Sequence, residues 1–199
     1  TALNLSCWLS GKGKKVLLLD TDHQATSQVF TQIRSQWKGD GKEGYSCLQV
    51  FGKQIRSQIL SIKDSFDYII IDVGGRDTVS FRAALTVSNL LLIPVVPRGF
   101  DVWALDSIAE LIEEAQAVND DLKASAFITK ADAQGKDNAE TFEHLNTFDS
   151  FTTLPYQIGN RKAIATASEH GYSIFEWKPK DKKAVNEMTA LFDYIYKLN

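Results

Sequence analysis

The stretch Val16-Leu17-Leu18-Leu19-Asp20-Thr21-Asp22-His23-Gln24 decides how this chain is read. Four apolar residues in a row, with neither helical spacing nor polar alternation, describe a short strand buried on both faces. The run then stops at a carboxylate. Phe66-Asp67-Tyr68-Ile69-Ile70-Ile71-Asp72 repeats the plan, again apolar and again ending in Asp. Tyr45 to Phe51, Leu90 to Val96 and Ala124 to Thr129 read as further strands, the second closed by Pro94 and Pro97. Between them lie segments with helical character. Residues 2–10 place Ala2, Leu5 and Leu9 on one face, and Gly11-Lys12-Gly13 supplies the stop. Residues 24–36 and 53–64 follow. Asp101 to Val118 is the clearest amphipathic helix, with Leu105, Ile108, Ile112 and Ala115 opposite Glu110, Glu113 and Glu114. Helices near 138–146, 161–170 and 181–197 and a short extended piece at 151–155 complete the pattern.

Apolar strands alternating with helices require crossover connections and therefore parallel pairing. The expected fold class is α/β, a doubly wound, mostly parallel sheet flanked by helices, as one domain over residues 1–199. In such sheets ligands bind at the carboxyl ends of the strands. The polar signals of this chain lie at those ends.

Composition narrows the function classes. The 199 residues are 44% hydrophobic, enough for a buried core. No apolar run approaches the ~20 residues of a membrane helix, and Thr1-Ala2-Leu3-Asn4-Leu5 lacks the basic start of a signal peptide. Cys7 and Cys47 form no Cys-x-x-Cys pair, and read as buried reduced thiols of a cytoplasmic protein. The net charge of −3 hides a gradient: residues 1–97 carry 11 basic and 8 acidic groups, residues 98–150 carry 4 and 12, and residues 161–199 carry 7 and 5. Any contact with nucleic acid must come from a local patch.

Three strand ends carry the chemistry: Asp20-Thr21-Asp22, Asp72-Val73-Gly74-Gly75, and Thr129-Lys130-Ala131-Asp132. A carboxylate after an apolar strand can hold Mg²⁺ through water, since hard cations take oxygen ligands. A second nearby can orient the water that attacks a phosphoryl group. Each Asp taken singly can equally cap the next helix. His23 beside Asp22 admits a general-base reading and a plain surface reading.

These segments, in this order, resemble the ParA/MinD family of deviant-Walker P-loop ATPases, and small plasmid-type ParA partition proteins in particular. Residues 16–24 are similar to the family's second-strand motif, which ends D-x-D-P-Q, and residues 66–72 to its Walker B strand. Pro94-Val95-Val96-Pro97 with Phe100-Asp101-Val102-Trp103-Ala104 resembles the strand and helix entry that follow. Arg161-Lys162-Ala163-Ile164-Ala165 through Gly171-Tyr172-Ser173-Ile174-Phe175-Glu176 resembles the late helix and its closing G-x-x-V/I-F-E. The similarity spans essentially the whole chain.

The resemblance implies a P-loop NTPase-like fold and an ATP hydrolase that uses ATP/ADP and Mg²⁺. It makes Asp22 the carboxylate that positions attacking water, Asp20 a support of the metal shell, and Asp72 a Mg²⁺ holder through water. Thr129, Lys130 and Asp132 fall where the family loop passes the base, Gly74 and Gly75 in a turn that senses the γ-phosphate, and Thr1 at the end of the phosphate loop. Non-specific DNA contact falls on Arg161, Lys162, Lys178, Lys180, Lys182 and Lys183, which a solvated helix start explains equally well. The family opens with a strand and a K-G-G-x-G-K-[ST]-[ST] loop. Those elements are missing ahead of Thr1, so the expectation is that the chain as given is inactive and exposes two strand edges. His23 and Gly74-Gly75 stand where Pro and Pro-Pro are usual.

The expected function is partition or positioning of a plasmid or chromosome by a bacterial, cytoplasmic, nucleoid-associated ATPase. It would dimerise on ATP, bind DNA without sequence preference and be stimulated by a ParB-like centromere-binding partner, with no membrane role. Two alternatives stand beside it: a non-catalytic, degenerate or truncated ParA-like interaction module, and a MinD-like membrane-cycling ATPase. The second needs a basic amphipathic C-terminal helix, and residues 188–199 hold one Lys.

Overall fold

The computed structural model describes residues 1–198 except 40, 75–77, 99–103 and 133–134. The chain divides into two compact units, residues 1–87 with 163–181, and residues 88–162 with 182–199.

In the first unit, α1 (Ala2–Gly11) leads to β1 (Val16–Asp20), α2 (Thr26–Lys38), β2 (Ser46–Gln49), α3 (Gln54–Ile62), β3 (Tyr68–Asp72) and α4 (Val79–Leu85); α7 (Lys162–Glu169) begins at the boundary and runs through it. The strands form a parallel sheet in the order β2-β1-β3. All five residues of β1 are buried, as its apolar run requires. Leu17 and Leu19 pack with Ile55, Ile59 and Ala84 of α3 and α4. Leu18, pointing the other way, is fully buried as well. Each such leucine contributes roughly 2 kcal/mol by leaving water. Helix α1 packs on β1, and Asn4 Oδ1 accepts the Ile174 N–H at 2.8 Å, which ties the later segment to the first helix.

In the second unit, β4 (Leu90–Val95), α5 (Leu105–Gln116), β5 (Lys123–Ala131), α6 (Asp137–Leu145), β6 (Thr152–Gly159) and α8 (Lys182–Leu198) build a parallel sheet in the order β4-β5-β6. Ile93, Val95, Ala126 and Ile128 pack with Leu105, Ala109 and Ile112 of α5 and Leu145 of α6. Helix α8 covers β6 and buries Ala184, Met188, Leu191, Phe192 and Ile195 at helical spacing. Pro94 has no N–H for a ladder, and its strand is accordingly an edge of this sheet.

The α/β, parallel, helix-flanked architecture is as expected. The single sheet that the pattern suggests appears as two three-stranded sheets among the described residues, with β3 and β4 each ending its own ladder. Two differences are local. Helix α4 was not read from the sequence: at seven residues it is too short for periodicity, and its signal is the Thr78 cap, whose Oγ1 accepts the Phe81 N–H at 3.1 Å. Lys130 and Ala131, expected beyond the strand that ends at Thr129, lie inside β5, which runs two residues further.

Candidate functional site

Asp20 and Asp72 stand side by side because β1 and β3 are parallel and in register at their carboxyl ends. Asp20 is 1% exposed. Its Oδ1 accepts the Asp22 N–H at 3.1 Å and its Oδ2 the Gln28 N–H at 3.0 Å. Asp20 therefore shapes the turn between β1 and α2, the capping alternative for a strand-end carboxylate. Asp72 is the more available group. Its Oδ2 accepts Ser27 Oγ–H at 2.5 Å, and its backbone oxygen accepts both the N–H and the hydroxyl of Thr21, each at 3.0 Å. Burial pushes the Asp72 carboxyl up; the Ser27 hydrogen bond pulls it back, and Asp20 and Asp22 raise it further.

Asp22 Oδ1 accepts the Gln24 N–H at 3.0 Å. Its Oδ2 lies over Gly74, where an added Cβ would come within 3.3 Å. A glycine at 74 thus leaves room for the carboxylate beside the turn after β3. Gly75 lies outside the described residues. Ala25, at the start of α2, holds a left-handed backbone with φ 53° and ψ 32°, an uncommon state for a residue with a Cβ. His23 is exposed, and its ring stacks on Phe51 with centroids 4.4 Å apart.

Sequence reading missed Ser27, Thr21 and Phe51. The available signal for Ser27 was a hydroxyl in the first turn of the helix that follows a carboxylate-ended strand. The Thr1 oxygen accepts the Leu5 N–H, and its hydroxyl caps nothing.

Among the described residues no group of three or more His, Cys, Asp and Glu side chains can enclose a metal ion. The set suits Mg²⁺ rather than a cage metal, because Mg²⁺ keeps several waters and takes one or two carboxylates plus phosphate oxygens. A buried carboxyl beside two others, with its proton affinity raised, is the kind of site that a hydrated cation relieves.

In the second unit, Lys130 is the bulged residue of β5: the register with β6 shifts between Thr129 and Ala131, and Lys130 has φ 50°. Just beyond is a pocket of about 310 Å³, lined by Asp132, Asn138, Gln157, Asn160, Arg161 and Glu187 among others. Asp132 thus borders a cavity at a strand end, whereas Lys130 is exposed. Arg161, expected on a DNA surface, is paired with Glu187. Lys162, Lys182 and Lys183 are exposed in this unit, and Lys178 and Lys180 are exposed in the first.

Known proteins share sequence and fold with this chain. The family model for an AAA domain matches residues 46–126. The maintenance of carboxysome distribution protein A of Halothiobacillus neapolitanus is 23% identical over 199 residues, covering 96% of this chain and 87% of the relative. The septum site-determining protein MinD of Pyrococcus horikoshii, solved with Mg-ADP, shares the fold with a TM-score of 0.74 at 15% identity, over 99% of this chain and 89% of that one. A plasmid partition protein of Borrelia burgdorferi, solved with AMPPNP, gives 0.70 at 19% identity, over 98% and 91%. In fold the chain is similar to these proteins, and its sequence resembles theirs at 15–23% identity over nearly its whole length.

Proposed function

We propose that this protein is a partition or positioning ATPase in which Asp72 holds Mg²⁺ through water and Asp22 orients the water that attacks the γ-phosphate. The observation that carries the reading is the Asp72 carboxylate, half-buried, raised by burial and by two neighbouring carboxylates, with one oxygen fixed by Ser27. Ser27 aims the carboxylate, and Asp20 holds the turn that presents Asp22. Bound Mg²⁺ and nucleotide would supply the phosphoryl chemistry, and these residues supply orientation, the larger part of catalysis in this reaction class. Asp132 and the pocket beside it would take the base, with Thr129 and Lys130 on the strand that leads to it.

Homologous proteins solved with Mg-ADP and AMPPNP support the nucleotide assignment. A relative named for carboxysome distribution and another for plasmid partition support a positioning role. Dimerisation on ATP, non-specific DNA binding through the exposed lysines, nucleoid association and stimulation by a ParB-like partner belong to the same reading. No helix among the described residues is long and apolar enough to cross a membrane.

The 199 residues contain no K-G-G-x-G-K-[ST]-[ST] motif to cradle a triphosphate. The test therefore adds one. A β-strand and a K-G-G-x-G-K-T-T loop fused ahead of Thr1 should create Mg²⁺-dependent ATP turnover absent from the unextended chain. Robust turnover by the unextended chain, or none in a well-folded fusion, refutes the assignment.

A further inference from the structure

Strand β2 is the outer strand of the first unit's sheet, whose order is β2-β1-β3. Val50, just past its end, donates its N–H to the Asp20 backbone oxygen at 3.1 Å. Bonding to one neighbour recurs at every second residue, so Leu48 and Ser46 also turn their peptide groups toward β1, in the register Leu17↔Ser46 and Leu19↔Leu48. The N–H and C=O groups of Cys47 and Gln49 therefore point out of the sheet, and no strand among the described residues pairs with them. Ser46-Cys47-Leu48-Gln49 guards this edge by its shortness alone: it holds no Pro and no charge, and its register with β1 has no bulge. Leu48 is 43% exposed. A groove of about 780 Å³ runs along the edge, lined by Gln28 and Thr31 of α2 and by Ser46, Cys47 and Leu48 among others. Cys47 and Leu48 face opposite sides of the sheet, so the groove wraps its rim.

We propose that this edge pairs with the same edge of a second copy of the chain, antiparallel about a two-fold axis at Leu48, in a contact that needs no nucleotide. The edge is complementary to itself. With Leu48 opposite its own counterpart, Cys47 of each copy meets Gln49 of the other and the two exchange both backbone hydrogen bonds. Every outward peptide group of the strand is then used, on both copies. The two leucines, exposed in the single chain, cover each other as a cross-strand pair. No charge on either strand opposes this. Gln28, whose Oε1 lies 3.6 Å from Cys47 Sγ, and Gln32, one turn further along the same face of α2, are uncharged as well. Lys14 and Lys15 line the amino end of the groove. Like charge is thus what a second copy has to tolerate, and added salt should strengthen the contact.

The purified chain without nucleotide provides the test. Sedimentation velocity should show a monomer–dimer equilibrium between roughly 10 μM and 1 mM, the range of a small interface, moving toward dimer as salt rises. L48K and Q49P should each weaken association at least about tenfold. The first sets two like charges opposite each other. The second removes one outward donor from each copy and leaves the bonds to β1 in place; circular dichroism verifies that each variant folds. Cross-linking reads the register. Opposite residues that share no hydrogen bond have Cα atoms about 4.5 Å apart, within disulfide reach. In a C47S background, L48C should therefore oxidise to a covalent dimer, whereas S46C should not, because Ser46 lies across from Val50. A chain that stays monomeric at every concentration overturns the proposal and leaves the edge to a partner of another sequence. So does unchanged association in folded L48K and Q49P, or equal cross-linking of S46C and L48C. Association abolished by salt would mark an electrostatic contact elsewhere on the chain, and overturns it too.

Discussion

Replacing Glu176 with Gln should destabilise the first unit by about 3 kcal/mol at neutral pH, with a characteristic acid limb. Arg34 of α2 is nearly enclosed, with its side chain 3% exposed against 27% for Glu176. It donates from Nη1 and Nη2 to the two oxygens of Glu176 at 2.7 and 2.8 Å, from Nε to the Glu43 backbone oxygen and from Nη1 to that of Gly171. Lys38 reaches Oε1 at 3.0 Å, and Ser173 donates its N–H and hydroxyl to Oε2 at 3.1 and 2.7 Å. Burial alone would raise this carboxyl; the hydrogen bonds from Arg34, Ser173 and Lys38 outweigh it and hold it down to about 2, from an ordinary 4.5. At 1.36 kcal/mol per unit, the difference corresponds to roughly 3 kcal/mol. Removing one partner of a buried pair independently costs about 3–5 kcal/mol. The folded-state value is depressed, so the stabilisation is complete above about pH 4.5 and is lost as pH falls toward 2. Urea unfolding followed by Trp37, which stacks on Tyr172 in the same unit, should give a wild-type-to-variant gap that is constant near neutrality and closes in acid. A gap under about 1 kcal/mol at pH 7, or one unchanged through the acid range, refutes the reasoning.

Gly171→Ala should cost at least about 2 kcal/mol by the same assay, because a Cβ would come within 2.7 Å of the Arg34 backbone nitrogen at a residue with φ 70°. Cys7, whose thiol burial pushes up to about 12, should resist iodoacetamide at pH 8 in the native chain and react on unfolding. Replacing Lys180, Lys182 and Lys183 with Glu in the loop-extended, ATP-bound protein should weaken duplex-DNA binding and flatten its salt slope, by about 0.9 for each phosphate no longer neutralised. A gel-shift salt titration with unchanged slope returns these lysines to solvated surface.

The strands were legible because burial on both faces leaves only apolar choices: β1 and β3 fall within two residues of their runs. Their terminal carboxylates were legible for the same reason, as the first polar residues after such a run. What the pattern hides is pairing across distance. Nothing local says that Arg34 meets Glu176, or that Ser27 bonds Asp72 across 45 positions. Charge alone likewise does not show that Glu187 lies against Arg161. The strand reads as ending at Thr129 because polar residues close the apolar run, yet the ladder to β6 carries Lys130 and Ala131 on through a bulge.

The central claim is that Asp72 serves the metal and Asp22 the water. In the loop-extended protein, ATP binding and turnover measured against Mg²⁺ concentration separate the two roles. Asp22→Ala should keep nucleotide and Mg²⁺ affinity while turnover falls by at least about tenfold, since a group that only orients water lowers the barrier without holding phosphate. Asp72→Ala should raise the Mg²⁺ concentration needed for half-maximal nucleotide binding. Parental turnover in Asp22→Ala, with unaltered Mg²⁺ dependence in Asp72→Ala, would contradict the account.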